Sequence, residues 1–523
     1  MRSTSRTARV HGATLVGAEA ELVVVEARFE PEDSKRTDVV FSGLPDAVIR
    51  EGRGRLLAAL AENRLAPGPG RLVINLVPAG VRKHGELLDL PLALGAVAAA
   101  GYVNPSASGP LAGTLFLGEV GIDGRLHEVP GGLACAVRAR AAGLTDLVGP
   151  PATAGEASLL RDVRAWSATS LGDVVAWVAR GGEGLTAATP PTEGGEDGGA
   201  GPLAARAGSA ISLDAVRGQE AAKDALCCAA AGGHAALFVG PPGTGKSLLA
   251  RALVGLLPPP TVDERLEATR VRSACGRRPA GLLAARPFRA PHASTSHAGL
   301  VGGGSPPLPG EITLAHTGVL FLDELPEWRR DVLEALRQPL EEGSVTIARA
   351  GRQLSMPARF QLVGAMNPCP CGYRGHPRRP CTCSPFEIRR YRRRLSGPLL
   401  DRIDLRVDLP APEVAALARA PTPEGTAAAA RERVAAARER ALSRGGVLNV
   451  ELDAAGLDAA APLDAALKRL LERLHARRDL SARAVQSLRR VARTLADLDG
   501  DERVDEPHLA RAIALRASLD GGG

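Results

Sequence analysis

The chain has 523 residues, with 65 lysines and arginines against 58 aspartates and glutamates, a net charge of +7 and eight cysteines. That length exceeds what one hydrophobic core organises, so two to four domains are expected and a small disulfide-stapled scaffold is excluded. The opening residues, MRSTSRTARVHGATLVGAEA, contain no apolar run of signal-peptide length, and the longest apolar stretch, Leu87 to Val103, includes Asp89 and Pro91 and falls short of the ~20 residues that span a bilayer; a cytoplasmic protein with no membrane partner is the expectation.

Taken in chain order, residues 1–181 form a first body whose apolar stretch at 87–103 reads as buried core. Residues 182–209, GEGLTAATPPTEGGEDGGAGPLAARAGS, hold almost no large apolar side chain and read as a flexible linker between two bodies. Downstream, a helix is expected from about Gln219, followed by an apolar strand, Ala235 to Val239, that runs into GPPGTGKS. This segment, Gly240, Pro241, Pro242, Gly243, Thr244, Gly245, Lys246 and Ser247, fits the phosphate-binding loop pattern, and LLARALVGLL continues it as a helix. Glycines let backbone amides wrap a triphosphate, Lys246 reaches the β and γ phosphates, and the Ser247 hydroxyl can ligate magnesium. The strand in GVLFLDEL, Val319 to Leu322, ends in Asp323 and Glu324. Two acids at a buried strand end suit one that holds magnesium, Asp323, and one that polarises the attacking water, Glu324. ATP and Mg²⁺ are therefore the expected cofactors.

The segment LVGGGSPPLPGE is too rich in Gly and Pro to be core. GSVTIARAGRQLSMPARF reads as a β-hairpin turning near Ala350 and Gly351, with Arg349 and Arg352 at its tip. A further strand, FQLVGAM, ends at Asn367. From about Pro410 the strands stop, and Leu463, Leu467, Leu470, Leu471 and Leu474 recur at helical spacing as the core stripe of a helical C-terminal domain.

Between these elements lies NPCPCGYRGHPRRPCTCS, with Cys369, Cys371, Cys381 and Cys383 in the spacing C-x-C-x9-C-x-C. Four soft ligands in two close pairs can close a tetrahedral zinc site, with His376 as an alternate ligand; a redox pair and unliganded thiols are the competing readings. The other four cysteines, Cys135, Cys227, Cys228 and Cys275, sit in apolar surroundings and read as buried thiols. From Arg374 to Arg394 there are eight arginines and one acid, Glu387, with Tyr373, His376 and Tyr391 interleaved. Such a stretch suits phosphate contacts and base stacking, or equally a solvated face or a contact between subunits.

The run RPFRAPHASTSHAGLVGGGSPPLPGEITLAHTGVLFLDELPEWRRDVLEALRQPLEEGSVTIARAG, then NPCPCGYRGH, then YRRRLSGPLLDRIDLRVDLP, resembles the magnesium-chelatase-like AAA+ ATPases of the YifB/ComM type. The resemblance implies a multidomain α/β fold: a ribosomal-protein-S5/Lon-like α+β domain at 1–181, an AAA+ core at 210–410 with pore insertions and a four-cysteine loop (369–383), and a helical lid at 411–523. It implies sensor 1 at Asn367, an arginine finger at Arg402 and sensor 2 at Arg483, although a turn cap and lid salt bridges are the plainer roles for these residue types. Leu92 and Ala134 stand where a Lon-type protease needs serine and lysine, so proteolysis is not expected. A homo-oligomeric ring, usually a hexamer, acting on DNA as a helicase or branch-migration motor in transformation or recombination is the activity implied. A protein-remodelling or chelatase-like ATPase is the alternative.

Overall fold

The computed structural model describes residues 7–33, 36–43, 46–78, 83, 86–105, 109–191, 211–277, 281–304, 307–349, 352–411, 425–478 and 480–516. An eight-stranded mixed sheet organises the N-terminal part, in the order Thr186–Ala187, Arg164–Ser167, Asp146–Gly149, Thr114–Phe116, Thr7–Val16, Glu19–Pro31, Gly70–Val77, Thr37–Ser42. Its spine is the long hairpin of Thr7–Val16 with Glu19–Pro31, whose alternating side chains send Ala8, Val10, Val23, Val25 and Ala27 inward. The apolar stretch of the sequence becomes the helix Asp89–Ala99, in which every residue from Leu90 to Ala99 is buried. No helix among the described residues is long and apolar enough to cross a membrane.

The segment expected to be a linker divides. Residues 192–209 lie outside the described residues, whereas Thr186–Ala187 pairs antiparallel with Trp166–Ser167 and closes the sheet. A run without large apolar residues can still add an edge strand, because the ladder is satisfied by backbone groups. Nor are the two bodies merely tethered. Helix Val262–Ala274, from the second body, packs on helix Gly132–Ala141 of the first, Ala274 enters the first body's core, and the Ser273 hydroxyl donates to Glu156 at 2.7 Å in buried surroundings.

The second body contains a five-stranded, all-parallel sheet. Its strands are β1 (Ala236–Val239), β2 (Phe288–Arg289), β3 (Val319–Leu322), β4 (Gln361–Met366) and β5 (Leu405–Asp408), in the spatial order β2-β3-β4-β1-β5. Strands β1, β3 and β4 are buried throughout, as continuous apolar runs in a covered parallel sheet should be. Register aligns Val239 with Met366 and Leu322 with Gly364. The loops that follow β1, β3 and β4 therefore emerge side by side at the carboxyl edge, where parallel sheets bind ligands. The hairpin of Ser344–Arg349 and Arg352–Pro357 opposes Arg349 to Arg352 across residues 350 and 351, which themselves lie outside the described residues.

The C-terminal helices Thr426–Gly445, Ala465–Arg478, Ala482–Asp499 and Glu506–Ala514 share one hydrophobic core with β1, β5 and helix Glu220–Gly232. Of the expected leucine stripe, Leu467 and Leu471 are buried in it, with Leu463, Leu470 and Leu474 packed against it. A buried polar network fastens this lid to the sheet. Asp404 accepts from Ser487 and pairs with His234 Nδ1 at 3.1 Å, His234 Nε2 meets Thr494 at 2.8 Å, and Arg516 donates to Ser487 at 2.9 Å. Burial alone would raise the pKa of Asp404, but hydrogen bonding and charge from His234, the Ser487 hydroxyl and the Arg516 charge outweigh it and hold the carboxyl below its ordinary value. Its contribution is present above the unfolded carboxyl pKa and is lost as pH falls through the lower, folded value. Asp404→Ala should cost about 3 kcal/mol, since it strands buried His234 and Ser487. Urea denaturation at neutral pH should read this loss directly, and the difference from the parent should narrow at acid pH.

Candidate functional site

At the carboxyl edge of β1, Gly240 passes so close to Leu409 that a Cβ would lie 2.7 Å from its carbonyl oxygen, so a side chain is excluded. Gly243 and Gly245 have φ of 81° and 88°, the left-handed region that glycine enters without strain. Helix α1 (Lys246–Leu256) begins immediately after, with Gly245 as N-cap and no side chain capping it. Its first amides are thus left for an anion, and the helix dipole favours one there. Thr244 ties the loop internally by donating to the Pro241 carbonyl at 3.0 Å.

The Lys246 ammonium donates to the carbonyls of Gly240 (2.7 Å) and Pro241 (3.0 Å) and to Asn367 Oδ1 (3.2 Å). Burial lowers its pKa from the usual lysine value, with Asp323 and Glu324 opposing. The Ser247 hydroxyl donates to Asp323 Oδ2 at 3.1 Å, so the two oxygens expected to share a magnesium ion already face each other across 76 residues of chain. The Glu324 amide donates to Asp323 Oδ1 at 2.9 Å; its own carboxylate is exposed and has no partner among the described residues. Glu324 is held at φ 49°, ψ 47°, a strained conformation for a non-glycine residue and one that collects at functional sites. Thus Lys246, Ser247, Asp323, Glu324 and Asn367 form one constellation whose donors and acids fit a magnesium–triphosphate group.

Arg402 and Arg483 belong to another. Arg402 donates to the Pro398 carbonyl at 2.7 Å and to Glu341 at 2.7 Å, its side chain only 8% exposed. Burial, and the nearby charge of Arg337 after it, lower its pKa. Arg483, near the start of the lid helix Ala482–Asp499, ion-pairs with the same Glu341. Glu341 stands in helix α2 (Arg337–Glu342), directly before the strand Ser344–Arg349. No hydrogen bond or ion pair among the described residues joins this pair of arginines to the loop constellation. Sequence reasoning missed Glu341, because one acid in a short helix carries no pattern until the fold brings Arg402 and Arg483 to it.

The four cysteines of the loop after β4 converge. Their sulfurs all lie within 4.8 Å of one another, with Cys369 3.4 Å from Cys371 and both 3.6 Å from Cys381. A tetrahedral zinc with sulfurs at about 2.3 Å has edges of about 3.8 Å, so the donor set fits the ion closely. Burial pushes the Cys369 thiol up to about 12, while backbone amides, that of Tyr373 foremost, pull Cys371 down to about 5. His376 is not part of the cluster; its Nδ1 accepts the amides of Arg378 and Arg379, each at 3.1 Å. The loop also presses on the phosphate-type loop: a Cβ on Gly372 would come within 2.9 Å of Pro242. The remaining cysteines are free thiols, Cys135, Cys227 and Cys228 buried and Cys275 half-buried.

This sheet order, with a glycine-rich turn opening a helix after β1 and paired acids after β3, defines a P-loop nucleotide-binding protein. The chain belongs to the magnesium-chelatase-like YifB/ComM family of AAA+ proteins. Family descriptions of the magnesium chelatase subunit ChlI match residues 25–153 and 212–417, and that of its C-terminal part matches 424–516. Competence protein ComM of Haemophilus influenzae is 39% identical over 512 residues, covering 98% of this chain and 97% of its own. Protein YifB of Escherichia coli is 37% identical over 97% of this chain and 96% of its own. The magnesium-chelatase 38 kDa subunit of Acidiphilium rubrum matches at 30% identity over only 25% of this chain and 45% of its own.

Proposed function

We propose that this protein is a cytoplasmic, ATP-hydrolysing motor that assembles as a ring, a hexamer, and acts on DNA as a helicase or branch-migration factor. The observation that carries the ATPase reading is the joint placement of Lys246 with Asn367, Ser247 with Asp323, and an exposed Glu324 at one sheet edge. ATP with Mg²⁺ supplies a phosphoanhydride whose cleavage drives the motor. The amides of Gly243 to Ser247 and the Lys246 ammonium bind phosphate oxygens; Ser247 and Asp323 hold the cation; Glu324 takes the proton of an attacking water that Asn367 orients. Arg402 and Arg483 face a neighbouring copy, and their shared hold on Glu341 must loosen for either to reach that copy's phosphate.

The DNA reading is supported by the arginine-rich segment at 374–394, by the net charge of +7 and by near full-length similarity to a competence protein. The four-cysteine loop holds zinc for shape, with no open position for chemistry. The N-terminal S5/Lon-like domain is a binding or assembly module rather than a protease, as Leu92 and Ala134 leave it without a serine–lysine pair. A chelatase or protein-remodelling role is the second reading, though the A. rubrum chelatase subunit matches only a quarter of this chain. The test is ATP turnover of the full chain against its own concentration, with single-stranded, double-stranded and branched DNA. We expect turnover to rise as rings form and to be stimulated by DNA. Absence of both DNA binding and stimulation would overturn the DNA reading and favour the second.

A further inference from the structure

Helix α3 (Pro385–Arg392) follows the last cysteine of the loop, capped by Ser384, whose hydroxyl accepts from the Glu387 amide at 3.3 Å. Beside it opens a cavity of about 570 Å³ lined by Trp328, Arg330, Phe386, Arg389, Arg390, Arg393 and Arg394. Five arginines thus surround one space. Arg394 is neutralised by Glu327 at 2.8 Å and held by the Pro326 carbonyl at 2.9 Å. The guanidinium groups of Arg389, Arg390 and Arg393 have no hydrogen bond or ion pair among the described residues. At the rim Phe386 leaves 66% of its surface in solvent, an unusual position for a phenyl ring.

Unpaired planar cations around an open cavity, with a free aromatic face at its edge, match phosphates linked to flat bases: the cations take the backbone and the ring takes a base. The cavity is also wired to the acid pair. The Trp328 indole forms its wall and donates to the Asp323 carbonyl at 2.9 Å, and Arg394 grips the turn at Pro326 and Glu327 that directly follows Glu324. We infer that this arginine-lined cavity is a binding site for single-stranded nucleic acid, in which Phe386 stacks a base, and that occupancy reaches Asp323 and Glu324 through Trp328 and the 325–327 turn. The inference rests on the DNA reading above and adds the site and the route by which DNA sets the hydrolysis rate.

The experiment uses the full chain and a fluorescein-labelled oligothymidine of about 30 nucleotides, long enough to span several contacts. Four variants are compared with the parent: Arg389→Ala with Arg393→Ala, Phe386→Ala, Trp328→Phe, and Arg161→Ala with Arg431→Ala as a charge-matched control on distant exposed faces. Affinity should fall about 10-fold or more in the first two. The arginine pair should also flatten the dependence of log affinity on log salt by about 1.4, two phosphate contacts on a single strand. With oligonucleotide at saturation, Trp328→Phe should bring the ratio of ATP turnover with and without oligonucleotide towards one, a loss of coupling that a merely structural tryptophan would not produce. Phe386 is exposed, so its variant stays informative if the arginine pair disturbs folding. If the parent binds and is stimulated but the first two variants match the control, the cavity is not the site, although the DNA reading stands. If those variants alter ring size with DNA affinity intact, the face belongs to a neighbouring copy and the inference fails. A parent that binds no oligonucleotide overturns this inference, and it brings down the DNA reading too if double-stranded and branched DNA also fail to bind.

Discussion

Glu324→Gln is expected to stop ATP turnover while leaving ATP bound, with kcat lower by about 10²–10⁴ and nucleotide affinity changed by less than a few-fold. The two acids after β3 differ in surroundings, and that difference carries the expectation. Asp323 is engaged on three sides: its carboxylate accepts from Ser247 and from the Glu324 amide, and its carbonyl accepts from Trp328. Glu324 is exposed, its carboxylate without a hydrogen bond or ion pair among the described residues, as a group that must reach a water requires. Glutamine keeps the shape and the hydrogen-bonding reach but cannot take a proton. Lys246→Ala is the contrasting change, since it removes the ammonium that two carbonyls of the loop and Asn367 Oδ1 now hold, and binding itself should fail. A fluorescent ATP analogue measures affinity and phosphate release measures turnover; a Glu324→Gln protein that still hydrolyses at the parental rate would move the catalytic role elsewhere. Glu324→Gly should be equally inactive yet more stable by about 1 kcal/mol, because glycine accepts the left-handed backbone without strain. Stability gained where activity is lost would mark the strain as functional.

The second large effect is expected at the cysteine loop. Purified protein should carry about one zinc per chain, and Cys381→Ser with Cys383→Ser should carry none. Two sulfurs cannot close a tetrahedron, and the segment has few apolar residues with which to hold itself together. Between Cys371 and Cys381 the contacts centre on Tyr373 and His376: a turn from Tyr373 to His376, the His376 ring accepting the Arg378 and Arg379 amides, and Arg379 over the Tyr373 ring at 5.1 Å while donating to its hydroxyl at 2.8 Å. Without the metal, trypsin should cut at Arg374 and Arg378 much faster than in the parent, Arg379 being shielded by the proline that follows it. Because Gly372 abuts Pro242, ATP affinity should weaken as well, by several-fold. Metal analysis, limited proteolysis and nucleotide titration check the three together. Parental protein that holds no zinc but shows a Cys–Cys bond by mass spectrometry would establish the redox reading instead.

Much of the site was legible because its parts are short and contiguous. GPPGTGKS needs only its own spacing to place glycines where the backbone must turn and Lys246 at the start of a helix. The acid pair and Asn367 were legible as residues that end apolar runs, and a parallel sheet brings the ends of its strands to one edge whatever lies between them. The cysteines declared themselves by density. The short strand at Thr186–Ala187 was hidden in a segment whose composition resembles a linker, because ladder pairing uses backbone and leaves no side-chain signature. The contact between the two bodies was hidden too, since Ser273, Ala274 and Glu156 are ordinary residues until they meet.

The sequence by itself determined the phosphate loop, the acids, the four-cysteine cluster and the helical character of the C-terminal part, since each is written in spacings of a few residues that local geometry reads directly. Only the tertiary structure decided that Arg402 and Arg483, 81 positions apart in the chain, converge on Glu341. It alone set Trp328 and Arg330 beside Phe386 and the arginines of α3, and placed His234, Asp404 and Thr494 in one buried network. These are meetings of common residue types across long loops, stabilised by burial and charge pairing that arise once the sheet and the lid have packed, so no local pattern announces them.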